Sequence, residues 1–256
     1  MDKILLHLAS LQAIQERTIA ETLVQGLRDA QPADVDYQAS NPSYPDLIHI
    51  VGLGDRATQQ LMSRAGRLRI PYIVTPLSSL QPWTHTRRPH FPPATILVAS
   101  SQLEYEQLAK LYPENTVHLV GNPVVSAAIT FDDYARRMQE VYAEALASHD
   151  AAVRDDIAQR VGKLGEEDAA ICDILRQALY VGYEHHRHHI QQATLDRLAA
   201  TMTAANYDEA LMADRLEELQ LTSSFAQLET FLADHSTLTE GFMPIEAHPN
   251  KTFTLP

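Results

Sequence analysis

Three groups of residues in this chain have types and spacings that suit chemistry. The first is the turn Gly52-Leu53-Gly54-Asp55, where an apolar run ends and a helical pattern begins. Two glycines there either let backbone amides approach an anion or make only a tight strand-to-helix turn with Asp55 as N-cap; a dinucleotide fingerprint would need a third glycine. The second group lies in residues 78–93, SSLQPWTHTRRPHFPP, which bring Trp83, His85, Arg87, Arg88 and His90 into one irregular stretch. An aromatic ring beside two guanidinium groups can stack a sugar and hold a phosphate or carboxylate, as an acceptor-binding loop would. The other reading is a surface loop that the chain's single tryptophan anchors to the core. The third group is the run from Glu184 to His189, EHHRHH. His185 and His189 share a helical face at the spacing by which two imidazoles grip one Zn²⁺ or Ni²⁺. Two ligands do not close a coordination sphere, and Cys172 is 13 residues upstream, roughly 20 Å along the same helix. No metal site is expected, and His185 and His189 read as lining a helix interface. They continue the stripe Ile171, Leu175, Ala178 and Gly182.

These side chains need elements to position them, and residues 46–79 supply the organising unit. Leu47 to Val51 is apolar except for His49, a helical pattern follows the glycine turn, and residues 70–75 are apolar again. In the helix, Ala57, Leu61, Ala65 and Leu68 fall on one face and Arg56, Gln60, Arg64 and Arg67 on the other, as for a helix lying on a sheet. Two apolar strands joined by such a helix make a parallel, right-handed crossover whose sheet is covered on both faces.

Further strands are predicted at 3–8, 35–39, 95–99 and 117–120. One helix carries the stripe Ile19, Ala20, Leu23, Val24 and Leu27, and another spans 102–111. Eleven of the 14 prolines lie between Pro32 and Pro123, and none from 124 to 243. Strand formers never cluster in that proline-free span, so it reads as helices. Thr130 with Asp133 resembles a capping pair ahead of the stripe Phe131, Tyr134, Ala135, Met138, Val141, Tyr142 and Ala145. That helix should pack on the sheet domain. Later helices are expected near 149–161, 166–190, 192–203, 208–220 and 224–234, with Asn206–Glu209 and Ser224–Gln227 marking the last two starts. The fold class is therefore α/β: a Rossmann-like parallel-sheet domain over 1–128, then an all-α helical domain over 129–240 and an extended tail over 241–256.

Composition excludes several function classes. No apolar run in the 256 residues approaches the ~18 to 20 residues of a spanning helix. No secretory signal is visible, and one cysteine permits no internal disulfide, so the cytoplasm is the expected compartment. Residues 1–130 hold 10 Lys/Arg against 11 Asp/Glu, a net of −1, whereas residues 131–256 hold 10 against 22, a net of −12. The acidic half repels phosphate backbones and anionic leaflets, which argues against nucleic acid and membrane insertion. It is either a well-solvated helical surface or a face for a protein partner.

In an open parallel sheet, ligands bind beyond the carboxyl ends of the strands. That edge comprises Ser10, the turn with Gly52, Gly54 and Asp55, Thr75 to Ser79 including Ser78, Ser100 with Ser101, and Gly121 to Pro123 including Asn122.

The order of these segments resembles the N-terminal half of a GT-B-type retaining glycosyltransferase. DLIHIVGL, a helix, RIPYIVTP, TILVASSQLEYEQL and NTVHLVGNPVV follow one another over roughly the first half of the chain. In that family the corresponding pattern is Asp-Ile-His before a glycine, Ile-Pro-Tyr-Val-Val-Thr-Pro, a serine followed by a glutamate, and a late asparagine. The resemblance thus adds Glu104 to the expected site and again points to Asn122. It also makes FDDYARRMQEVYAEAL similar to the closing helix with which such enzymes return to their N-terminal domain.

Three departures bear on catalysis. The first-strand turn, HLASLQAIQ, has no glycine, and Leu77 stands where the family commonly has histidine. Leucine can neither donate a hydrogen bond nor exchange a proton. No second set of strands follows to make the family's donor-binding domain. The expectation is a glycosyltransferase-like protein that binds a sugar-containing ligand or a protein partner without autonomous transfer, using no cofactor. Two alternatives stand beside it: a transferase subunit active with a separate donor-binding chain, and a structural adaptor whose acidic helical half is the interaction surface.

Overall fold

The computed structural model describes residues 2–11, 13–30, 35–38, 45–53, 55–77, 90–165, 168–186 and 190–236. The chain divides into two compact units, residues 1–150 and 151–256. The first contains a six-stranded parallel sheet of β1 (Asp2–Leu8), β2 (Val35–Gln38), β3 (Leu47–Val51), β4 (Tyr72–Thr75), β5 (Ile96–Ala99) and β6 (Val117–Leu119) in the order β2-β1-β3-β4-β5-β6. Every pairing is parallel. Asp46 sets the central register: its carboxylate accepts from the Lys3 amide at 2.8 Å, and its own amide donates to the Lys3 carbonyl at 2.8 Å.

The direction of travel decides which face each helix covers. From β1 the chain steps outward to β2 through α1 (Ile14–Ala30), then crosses back and steps the other way to β6, using α2 (Arg56–Arg67) and α3 (Gln102–Leu111). Right-handed crossovers taken in opposite directions put their helices on opposite faces. Accordingly Ala20, Leu23, Val24 and Leu27 of α1 share a core with Ile4, Leu47, Val51 and Ile73, while Ala65 of α2 and Leu108 of α3 share one with Leu5, Ile48, Ile50 and Leu97. This alternation along each strand is the period-two pattern of a sheet buried on both sides.

The α1 face is completed by the first part of α4 (Phe131–Gly162), whose Tyr134, Ala135, Met138, Val141, Tyr142 and Ala145 join the α1 core. The capping pair read from the sequence forms, with the Asp133 amide donating to Thr130 Oγ1 at 3.1 Å and the Thr130 hydroxyl to Asp133 at 2.9 Å.

In the second unit, Val153, Ile157 and Val161 of α4 pack with α5 (Ala169–His186), α6 (Gln192–Ala204), α7 (Glu209–Glu218) and α8 (Thr222–His235). Among the described residues no strand follows Leu119, and no helix is long and apolar enough to cross a membrane. The buried Glu184 accepts hydrogen bonds from the Gln191 amide and the Thr194 hydroxyl, both at 3.1 Å, so the end of α5 caps the start of α6.

The structure corrects five local expectations. The helix expected at 149–161 is a continuation of α4, because no glycine or proline interrupts the stripe after Ala145. Helix α5 is shorter than 166–190 and starts behind Asp168, which accepts from the Ala170 amide at 2.9 Å. Asp208 rather than Asn206 caps α7, taking the Ala210 and Leu211 amides. Helix α8 begins at Thr222, ahead of Ser224, with no side-chain cap. The buried face of α2 is carried by Thr58 and Ala65, whereas Leu68 at the helix end is 38% exposed.

Candidate ligand site at the carboxyl edge of the sheet

The strand order turns around between β1 and β3, so the crevice beyond their carboxyl ends is the topological switch point. Ser10, Gly52, Asp55, Thr75, Ser100, Ser101, Glu104 and Asn122 all follow or end strands on this edge. Gly54, Ser78, Ser79, His85, Arg87 and Arg88, with Trp83, lie outside the described residues.

At the switch point the chain satisfies its own amides. Asp55 accepts from the Thr58 amide at 2.5 Å as N-cap of α2, and its other oxygen accepts from the Ser10 amide across the crevice. Burial works to raise the Asp55 carboxyl, but hydrogen bonds from the Thr58 and Ser10 amides, with the Thr58 hydroxyl and His7, hold it below the usual aspartate range. The Gly52 amide donates to the Thr75 carbonyl at 2.8 Å. Gly52 itself has φ +87°, and a Cβ there would lie 3.0 Å from Leu11 Cδ2. Both facts make the glycine a tight turn. The helix end that attracts anions already holds a carboxylate.

Under the edge lies a buried polar chain. His49, fully enclosed, is 2.8 Å from the Tyr142 hydroxyl through Nδ1 and 2.8 Å from Thr75 Oγ1 through Nε2. Burial pushes the His49 imidazole down to about 3, so it is neutral, with one nitrogen donating and the other accepting. Burial likewise pushes the Tyr142 and Tyr134 hydroxyls upward, and Tyr37 up to about 12. The Tyr37 ring packs edge-on to Tyr142 at 6.3 Å between centroids. The buried Tyr37 hydroxyl lies near Tyr142 and the buried Tyr134 hydroxyl near Thr75, close enough to oppose these shifts, though neither makes a well-formed hydrogen bond among the described residues.

Beyond β4 and β5 the polar groups open outward around Glu104. The Ser100 amide donates to Glu104 Oε2 at 2.6 Å, and the Leu77 amide approaches the same carboxylate. Burial raises the Glu104 carboxyl above the ordinary glutamate value, and these amides oppose it. The Ser100 hydroxyl also lies close enough to the Glu104 carboxylate to oppose that rise, yet among the described residues Glu104 Oε1 and Ser100 Oγ are buried without a well-formed hydrogen bond. Leu77 sits at φ +60°, in the left-handed region, at a cost of about 1 kcal/mol or more for a leucine. Ser101 caps α3 by accepting from the Glu104 amide at 3.2 Å. Asn122, 2% exposed, accepts from the Val124 amide at 2.9 Å in a closed local turn, with its capacity directed at the backbone.

The left-handed backbone of Leu77, Tyr134 and the His49–Tyr142 tie were not legible as site features. Positive φ is usually announced by glycine or asparagine, and here a leucine follows Thr75-Pro76. Past the loop, Phe91 is buried, 4% exposed and 4.9 Å from the Tyr112 ring, while the reading of Trp83 as the loop's anchor lies outside the described residues. His185 is half-buried on α5, and His188 and His189 lie outside the described residues. Among the described residues no group of three or more His, Cys, Asp or Glu is placed to hold a metal ion.

No protein-family model, no curated protein and no solved structure matches this chain.

Proposed function

We propose that this protein binds a sugar-containing ligand at the carboxyl edge of its sheet, around Leu77, Ser100 and Glu104, and does not transfer sugar by itself. The observation that carries the reading is the pair Glu104 Oε1 and Ser100 Oγ, buried beside a strained Leu77 and, among the described residues, offset from each other and from every other group so that neither makes a well-formed hydrogen bond. A buried polar atom without a partner costs about 1–3 kcal/mol, so a fold keeps such atoms where something else completes them. An acceptor and a hydroxyl side by side match the vicinal hydroxyls of a neutral sugar. The segment order resembling a glycosyltransferase N-terminal half supports the same ligand class.

Transfer from a nucleotide sugar needs positive groups or free amides set against the departing diphosphate. Here the switch-point amides are engaged by Asp55, whose charge opposes a phosphate. The test is saturation-transfer NMR with a panel of neutral mono- and disaccharides. Binding by the wild type, lost in Glu104→Gln and Ser100→Ala, supports the site; no binding, or binding unchanged in both variants, removes it. A parallel nucleotide-sugar panel should release no nucleoside diphosphate, and robust release would overturn the absence of transfer.

A further inference from the structure

A groove of about 1010 Å³ is lined by Leu5 to Leu8 of β1, by Arg56, Arg64 and Arg67 of α2 and by Arg28 near the end of α1. We infer that this groove binds a short oligophosphate, a ligand distinct from the sugar proposed for the carboxyl edge. Arg56 and Arg67 are eleven residues apart, close to three full turns, so they share a stripe of α2 roughly 16 Å long. Gln60 and Ser63 lie between them in the same wall and offer uncharged hydrogen bonds.

Charge placement singles out this stripe. From Arg56 to Leu103 the sequence has six arginines and no aspartate or glutamate, within a chain of net charge −13. None of the four groove arginines pairs with an acidic side chain among the described residues. Arg28 Nε is buried without a hydrogen-bond partner among the described residues. Guanidinium forks without carboxylates match the oxygens of phosphate groups in pairs.

Two features favour a short ligand over a polymer. Among the described residues the lining contains no Phe, Tyr or Trp on which bases could stack. Beyond the stripe, the chain's remaining charge is strongly negative and would repel an extended polyanion.

The experiment is calorimetric titration of the full-length protein with inorganic tripolyphosphate at fixed, moderate salt, repeated with a ten-residue single-stranded oligonucleotide. The variants are Arg64→Gln/Arg67→Gln and, as control, Arg136→Gln, an exposed arginine bonded to Glu140 elsewhere in the same unit. Circular dichroism verifies that each is folded. The expected result is saturable one-to-one binding of tripolyphosphate, weakened at least tenfold in the double variant and within twofold of wild type in the control. Absence of saturable binding, or equal weakening in the control, overturns the proposal. Tighter binding of the oligonucleotide than of tripolyphosphate also overturns it, in favour of a nucleic-acid groove.

Discussion

The imidazole of His49 and the hydroxyl of Tyr142 meet at 2.8 Å although 93 positions separate them in the chain. The contact joins β3 to α4 beside the α1-side core, with the histidine shut off from bulk solvent. Because burial holds the folded imidazole at about 3 against an ordinary value of 6.5, the unfolded chain takes up the proton first. Stability from this group is therefore intact above pH 6.5 and drains away as pH falls toward 3, by up to about 1.4 kcal/mol per pH unit. Thermal melts between pH 7 and pH 4 should show that decline, and in His49→Asn its steepness should fall. Tyr142→Phe, which strands the Nδ1 atom, should lose about 1–3 kcal/mol at neutral pH by urea titration.

Two glycines in helices should respond in opposite directions to alanine. A Cβ on Gly26 of α1 would lie 2.1 Å from the Phe131 ring of α4, so the ring must leave its seat. Gly26→Ala should destabilise by about 1–3 kcal/mol despite alanine's better helix propensity, and pairing it with Phe131→Ala should recover part of the loss. Gly66 of α2 has nothing within 4 Å of the same position. Gly66→Ala should stabilise by about 0.5–1 kcal/mol. Denaturant midpoints of the variants give both signs in one experiment.

Helix α7 ends in a Schellman arrangement with a residue poorly suited to it. The Leu221 amide donates to the Leu216 carbonyl at 2.8 Å and the Gln220 amide to Glu217 at 2.9 Å, with Gln220 at φ +58°. Leu216 and Leu221 are both buried, completing the motif's apolar contact. Gln220→Gly should raise stability by about 1 kcal/mol, seen as a higher denaturant midpoint with an unchanged slope.

Asp55 both caps α2 and bridges to Ser10, so Asp55→Ala should cost about 1 kcal/mol or somewhat more. Its carboxyl is held below the ordinary aspartate value, so the contribution is present above that value and lost as pH falls through the lowered one. The difference in melting temperature between wild type and Asp55→Ala should accordingly be constant from pH 5 to 8 and shrink below pH 4.

The strands were readable because β3, β4 and β5 are buried on both faces, which makes them short apolar runs between turn residues. Asp55 and Thr130 were readable as caps because capping is a local hydrogen bond between residues three apart. The same locality misled at Asn206 and Ser224, where a plausible capping pair stood two residues before the actual N-cap Asp208 and three residues after the actual N-cap Leu221. The edge residues could be enumerated from strand ends alone, yet their states could not. Whether the Gly52 amide is free depends on the Thr75 carbonyl, and whether Glu104 is neutralised depends on burial by elements far off in sequence. His49 was an intermediate case: a histidine in an apolar run demands partners, but only the folded chain names Tyr142 and Thr75.

The reversal of direction after β2 sets where this protein can be cut. With α2 and α3 both on one face, the opposite face of β4 to β6 has no crossover helix of its own among the described residues and is sealed by Tyr134, Met138, Val141 and Tyr142. A gene fragment ending just after the last strand would encode all six strands and still leave one side of the sheet greasy and open. The smallest portion of this chain that recombination or a fusion design could move as a working module therefore includes the helix after the sheet, through about residue 150.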